Sequence, residues 1–208
     1  MGEHHYETQL RWADPAGTAD YRTYSREHEV VAPGRPTLVG SADRPFRGDP
    51  TRWNPELLLL AALSECHLLS YLSFCARAGV VVTAYADRAS GTMVQEGLGG
   101  HFTEVVLRPA VTVADAAMLD EAEALHGPAN EACFIASSVR FPVRHEATAV
   151  AALAGGPASG RRPWPRSRRP RRPSSTSSVR CGATGTARAW GSGTCGRSSG
   201  TPPVPWSP

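Results

Sequence analysis

The chain has 208 residues, and all 22 of its basic side chains are Arg; there is no Lys. The 19 acidic residues all fall before residue 147, so residues 1–150 carry a net charge of −7 and residues 151–208 a net of +10. The basic balance of the whole therefore belongs to its last quarter, which argues against nucleic-acid binding by the acidic body, and no run of about 18 apolar residues suggests a membrane span.

The first ten residues, MGEHHYETQL, lack a basic start followed by an apolar stretch, so no secretory signal is expected. A cytoplasmic location follows as the default, where cysteines lean toward catalysis, redox chemistry or packing rather than structural disulfides. Residues 6–13 alternate in strand fashion, and residues 20–31 read as their hairpin partner after a Pro-Ala-Gly turn. Residues 36–53 give a short strand and a long polar loop. Asn54-Pro55-Glu56 is a helix start: a capping side chain, Pro at the first helical position and an acid at the positive end of the dipole. The helix should run from Pro55 to about Ala78 and stop at Gly79. Apolar nearly all round, it reads as a central buried helix. Residues 80–95 and 101–113 read as two strands about the glycine-rich turn at 97–100. Residues 113–127 form an amphipathic helix, residues 128–139 a third helical piece started by Pro128, and residues 140–147 a last strand. The order β-β-β-α-β-β-α-α-β predicts an α+β domain, residues 1–148, with an antiparallel sheet packed on the central helix and a second helix pair.

Residues 149–208 are rich in Arg, Pro, Gly and Ser and show neither helical nor strand periodicity. Such a segment buries too little apolar surface to offset its ordering entropy, so a disordered tail is expected. A basic arm for nucleic acid is the functional alternative, but no aromatic-basic interleaving accompanies the Arg run. The abrupt loss of acidic residues after Glu146 also suits a frameshifted read-through.

The body holds Cys66, Cys75 and Cys133. Cys66 and Cys75 are nine residues apart, about 900° of helical turn, and so face opposite ways. Cys66 and Cys133 fall on different apolar segments that could meet across a helix contact, which spacing alone does not establish. A buried Cys is also a small hydrophobe, and that is the reading of Cys75. Glu65 and His67, flanking Cys66, read as sheet- or interface-facing polar residues, with the substrate mouth as a second place for His67. His4, His5 and His28 have no visible partner. Zinc-type Cys/His spacing, a nucleophile elbow and nucleotide-binding loops are all missing from the sequence.

Two blocks, RWNPELLLLAALSECHLLSYL and NEACFIASSVRFPV, together resemble the signatures of the OsmC/Ohr family, the osmotically inducible and organic-hydroperoxide-resistance proteins. The first resembles the family's Asn-Pro-Glu helix start with a reactive Cys ten residues after the Glu, matched by Glu56 and Cys66. The second resembles its Cys-x-Ile-x-x-Ser block, matched by Cys133, Ile135 and Ser138. A His often precedes that second Cys by three residues; Asn130 stands there in this chain. The resemblance covers roughly residues 4–146.

What the resemblance implies is an OsmC-like fold and a cysteine-based thiol peroxidase that reduces organic or lipid hydroperoxides to alcohols in oxidative or osmotic stress defence. Cys66 would be the peroxidatic thiol, oxidised to a sulfenic acid, and Cys133 the resolving thiol that closes a disulfide. An Arg oriented by Glu56 would hold the thiolate; Arg47, in the loop before the helix, is the first choice and Arg26 the second. No metal or organic cofactor is implied: an external dithiol of lipoyl or thioredoxin type would supply the electrons. Glu56 and Cys66 lie about 15 Å apart along a straight helix, and the family's intertwined homodimers, with sites at the interface, offer a way to bring them together. The rival reading is a non-catalytic OsmC-like stress or small-ligand-binding protein.

Overall fold

The computed structural model describes residues 2–152; Met1 and residues 153–208, on which the expected tail falls, lie outside the described residues. Three strands open the chain, β1 (Gln9–Arg11), β2 (His28–Val31) and β3 (Leu38–Gly40), paired antiparallel in that order. They are shorter than the alternation of the sequence suggests. Asp14 and Asp20 side chains accept backbone N–H groups two residues on and fold the intervening segment into turns.

Helix α1 spans Pro55–Ala78, as its caps predict. Asn54 Oδ1 accepts the Leu57 N–H at 2.8 Å, and Gly79 ends the helix at φ 76° with its N–H on the Cys75 carbonyl, a conformation Gly adopts without Cβ strain. Within the single chain, α1 buries one stripe rather than its whole circumference: Leu63, His67, Tyr71 and Cys75, each four residues from the last. Leu57, Leu69 and Leu72 on other faces are 45%, 60% and 37% exposed. By length and composition alone α1 could cross a membrane, against the sequence expectation; its buried stripe nonetheless packs as in a folded core, with His67 and Tyr71 hydrogen-bonded to other segments.

The two strands expected after α1 are four, because a bend divides both arms of the hairpin: β4 (Val82–Asp87), β5 (Ser90–Glu96), β6 (Gly99–Leu107) and β7 (Pro109–Val113). At the bend Asp87 Oδ1 accepts the Arg108 N–H at 2.7 Å, while Ser64 Oγ of α1 donates to Asp87 Oδ2 at 2.5 Å. One carboxylate thus fixes the corner of the sheet and ties α1 to it. The remaining helices are α2 (Leu119–Ala124) and α3 (His126–Glu131). Pro128 does not start the third helical piece; it lies inside α3. It has no N–H for the Ala124 carbonyl four residues back, and α2 ends at Ala124.

Two C-terminal strands complete the sheets, β8 (Val143–His145) parallel to β6 and β9 (Thr148–Ala151) parallel to β7. The fold is α+β, with the antiparallel pairs β4/β7 and β5/β6 each extended by one parallel strand, and β9 runs past the domain boundary expected at residue 148. Two apolar clusters form along α1: Leu63 with Val105 and Leu107, and Tyr71 and Cys75 with Val111, Val113, Ala122 and Ala129.

Candidate functional site

Cys66 and Cys133 meet. Cys66 is half-buried at mid-α1, and Cys133, 1% exposed, follows α3 by two residues in a turn rather than within a helix. The turn is held by the Cys133 carbonyl, which accepts the Ser137 N–H and hydroxyl, both at 3.0 Å. The Cys133 thiol lies beside that of Cys66, near enough for the two sulfurs to influence each other's proton, and both are free. Burial pushes the Cys133 thiol up to about 11, and the Cys66 sulfur beside it acts in the same sense. The backbone N–H of Ala136, 3.4 Å from Cys133 Sγ, opposes the rise in part. Cys133 is therefore a protonated thiol, more enclosed than Cys66.

Cys66 lines a cavity of about 760 Å³ with Leu69, Phe74, Phe134 and Ile135 as apolar walls and Glu65 and Arg77 as charged groups. Cys75, on the opposite face of α1, is 1% exposed in the Tyr71 cluster, and burial raises its thiol above the ordinary range. Its reading as core packing agrees with that position.

Glu56 lies at the first turn of α1 and lines a second cavity of about 420 Å³ together with Arg26, Tyr24, Trp12 and Phe46. The Arg26 guanidinium sits 3.6 Å from the Tyr24 ring centroid and donates to the carbonyls of Tyr24 and Tyr21 at 2.5 and 2.6 Å. Arg26 Nε and Glu56 Oε2 are both buried without a hydrogen-bond partner among the described residues. Such atoms cost free energy unless something else meets them. Arg47, the first choice from sequence, is exposed, in the left-handed conformation at φ 64° that closes the 3-10 turn Arg44–Phe46. Its guanidinium lies toward Tyr21, 5.8 Å from the ring centroid. The fold thus brings Arg26, not Arg47, to the cavity of Glu56, and neither Arg lines the cavity of Cys66.

His67 faces the interior, not a sheet edge or the Cys66 cavity. It is 0% exposed, and its Nε2 lies 3.0 Å from Nδ1 of His126, which is 1% exposed. His145 of β8 completes the group, with ring centroids 5.7 Å from His67 and 5.8 Å from His126. Tyr71 stacks on His126 at 4.0 Å and donates its hydroxyl to the Ala122 carbonyl at 2.9 Å. Burial lowers His67 and His126 to about 4, so both rings are neutral near pH 7. Sequence reading missed this group. The available signal was the spacing Leu63, His67, Tyr71, Cys75: a His on the buried stripe of a helix needs a polar partner.

A family model described as OsmC-like protein matches residues 48–148. Among solved structures, an OsmC-like protein of unknown function from Vibrio cholerae O1 biovar eltor is 31% identical; the match covers 70% of this chain and 100% of that one, with a TM-score of 0.63. An OsmC-like protein from Mycoplasma pneumoniae is 10% identical, covering 72% and 99%, with a TM-score of 0.57. An organic hydroperoxide resistance protein from Elizabethkingia anophelis is 16% identical, covering 73% and 99%, with a TM-score of 0.55; at that identity the likeness is one of fold. No curated protein matches the chain.

Proposed function

The chain belongs to the OsmC-like family, and we propose that it acts there as a cysteine-based thiol peroxidase that reduces organic hydroperoxides. The observation that carries this reading is the juxtaposition of two free thiols, one half-open at the wall of an apolar cavity and one buried beside it. The Cys66 thiolate attacks the terminal oxygen of ROOH; an S–O bond forms, the O–O bond breaks, and the alkoxide leaves as ROH on taking a proton. Cys133 then attacks the sulfenic sulfur, an S–S bond forms, and the hydroxyl departs as water. An external dithiol, of lipoyl or thioredoxin type, returns both sulfurs to thiols by exchange and is itself oxidised to a disulfide. The cycle asks for no metal and no organic cofactor. The walls Leu69, Phe74, Phe134 and Ile135 favour an alkyl or fatty hydroperoxide over hydrogen peroxide.

The cation for the thiolate is assigned to Arg26, which shares its cavity with Glu56, in a homodimer. The unpartnered Arg26 Nε and Glu56 Oε2 support this, as does the apolar face of α1 left open at Leu57 and Leu72. In that assembly one protomer's Arg26–Glu56 cavity serves its partner's Cys66. A reducing compartment such as the cytoplasm suits the dithiol.

The test is peroxide consumption. With cumene hydroperoxide and a dithiol, wild type should consume peroxide and Cys66→Ser should not; equal rates would leave the non-catalytic, ligand-binding reading. Leu72→Arg should sediment as a monomer and lose activity with the dimer.

A further inference from the structure

We propose that the buried His67–His126 pair is a positioning element that sets the register of α3 on α1 and so holds Cys133 against Cys66; its role in turnover rests on the peroxidase reading above. His67 is the residue after Cys66, and His126 is the first residue of α3, seven before Cys133. The contacts between the two segments form three rungs in antiparallel order: Cys66 with Cys133, His67 with His126, and Tyr71 with the Ala122 carbonyl. The histidine rung lies on α1 between the Leu63 cluster and the Tyr71–Cys75 cluster.

That place matters because apolar contacts are non-directional. Leu63, Ala129 and Ile135 would hold the segments together yet let α3 slip along α1, and the Tyr71 hydroxyl bonds to Ala122 of α2 rather than to α3. The N···N contact at 3.0 Å admits one relative position, with one ring nitrogen donating and the other accepting. The remaining ring nitrogens, His67 Nδ1 and His126 Nε2, are buried without partners among the described residues. Two half-satisfied imidazoles in a core are an expensive way to gain adhesion alone, since apolar groups of similar shape would serve as well or better. Register is what they add.

Stability and thiol closure can therefore be separated. The reduced full chain is mixed with diamide, quenched with N-ethylmaleimide, and the Cys66–Cys133 link is quantified by mass spectrometry. Diamide takes two electrons and two protons from the thiol pair and becomes the hydrazine, so no peroxide is needed. The double variant His67→Leu/His126→Leu should unfold at the wild-type urea midpoint or above it, yet close the link about tenfold more slowly. Alkylation of Cys66 should stay within about threefold of wild type. His67→Gln/His126→Asn places amide atoms near Nε2 and Nδ1 and should restore closure to within about threefold. Closure at the wild-type rate in the folded Leu pair overturns the proposal. So does tenfold slower closure in the folded Gln/Asn pair, which stays decisive if the Leu pair does not fold. A wild-type chain that closes with diamide but ignores cumene hydroperoxide removes the peroxidase reading, and tenfold slower closure in its folded Leu pair still supports the register role; unchanged closure in both doubles of a peroxide-reducing chain removes the register role alone.

Discussion

On one helix, Cys66 faces an open apolar cavity with a second thiol beside it, whereas Cys75, nine residues on and half a turn round, is sealed among Tyr71, Val111 and Ala122. Both sit in an apolar helix and both are free. What differs is access and company. Cys66 can be reached by a ligand and has a neighbour able to capture an oxidised sulfur; Cys75 has a phenol beside it and burial that keeps its thiol protonated. Composition around a cysteine says little about its chemistry; the face of the helix on which it stands says much more.

The comparison can be broken outright. Cys66→Ser should reduce hydroperoxide consumption to the uncatalysed background, while Cys75→Ser leaves the rate per folded molecule within about twofold; the reverse pattern in a coupled dithiol assay would overturn the assignment of the two thiols. A smaller effect tests the cation. Arg26→Ala should slow oxidation of Cys66 by about 10²–10³-fold, and exposed Arg47→Ala by less than about threefold, read by stopped-flow alkylation of unreacted thiol. A dominant Arg47 effect would return the loop arginine to first place.

Acid sharpens the contrast between the buried polar rung and the apolar clusters beside it. His67 and His126 stay neutral in the fold down to about pH 4, whereas unfolded histidines take up protons near 6.5. Between those values the unfolded chain binds more protons, so stability is full above about pH 6.5 and falls as pH is lowered toward 4. One ring accounts for about 3 kcal/mol across that window. Urea midpoints at pH 7 and 4.5 should show the loss, and His67→Leu/His126→Leu should flatten it. The smallest effect concerns Cys75 as packing: Cys75→Ala should cost about 1 kcal/mol in urea unfolding with activity unchanged.

The sequence was most legible where structure is set by near neighbours. Both ends of α1 follow from Asn54-Pro55-Glu56 and Gly79, since caps act within one turn. The bend that splits the hairpin was not legible, because it depends on Asp87 reaching an N–H twenty-one residues away. Nor was the parallel placement of β8 and β9, which local pattern does not encode. At the site, Cys66 and Cys133 were singled out through a family resemblance rather than spacing. Arg47 was preferred over Arg26 by its place before the helix, but a three-residue turn leaves Arg47 outside the Glu56 cavity. Residues 20–25, read as strand, instead form turns that deliver Arg26 to that cavity. His126 gave no periodic signal at all, because its partner lies fifty-nine residues earlier.

Strand β9 decides where the chain can be cut. Thr148–Ala151 pairs with β7, the Ala152 N–H donates to the Val113 carbonyl at 2.8 Å, and Ala149 packs on the cluster that seals Cys75. A stop codon placed after residue 148, where composition changes, would strip one edge of a sheet and leave the carbonyls of β7 unpaired beside a depleted core. A shortened gene intended to remove the arginine-rich extension should therefore retain residue 152, so that loss of folding is not mistaken for a requirement for the extension.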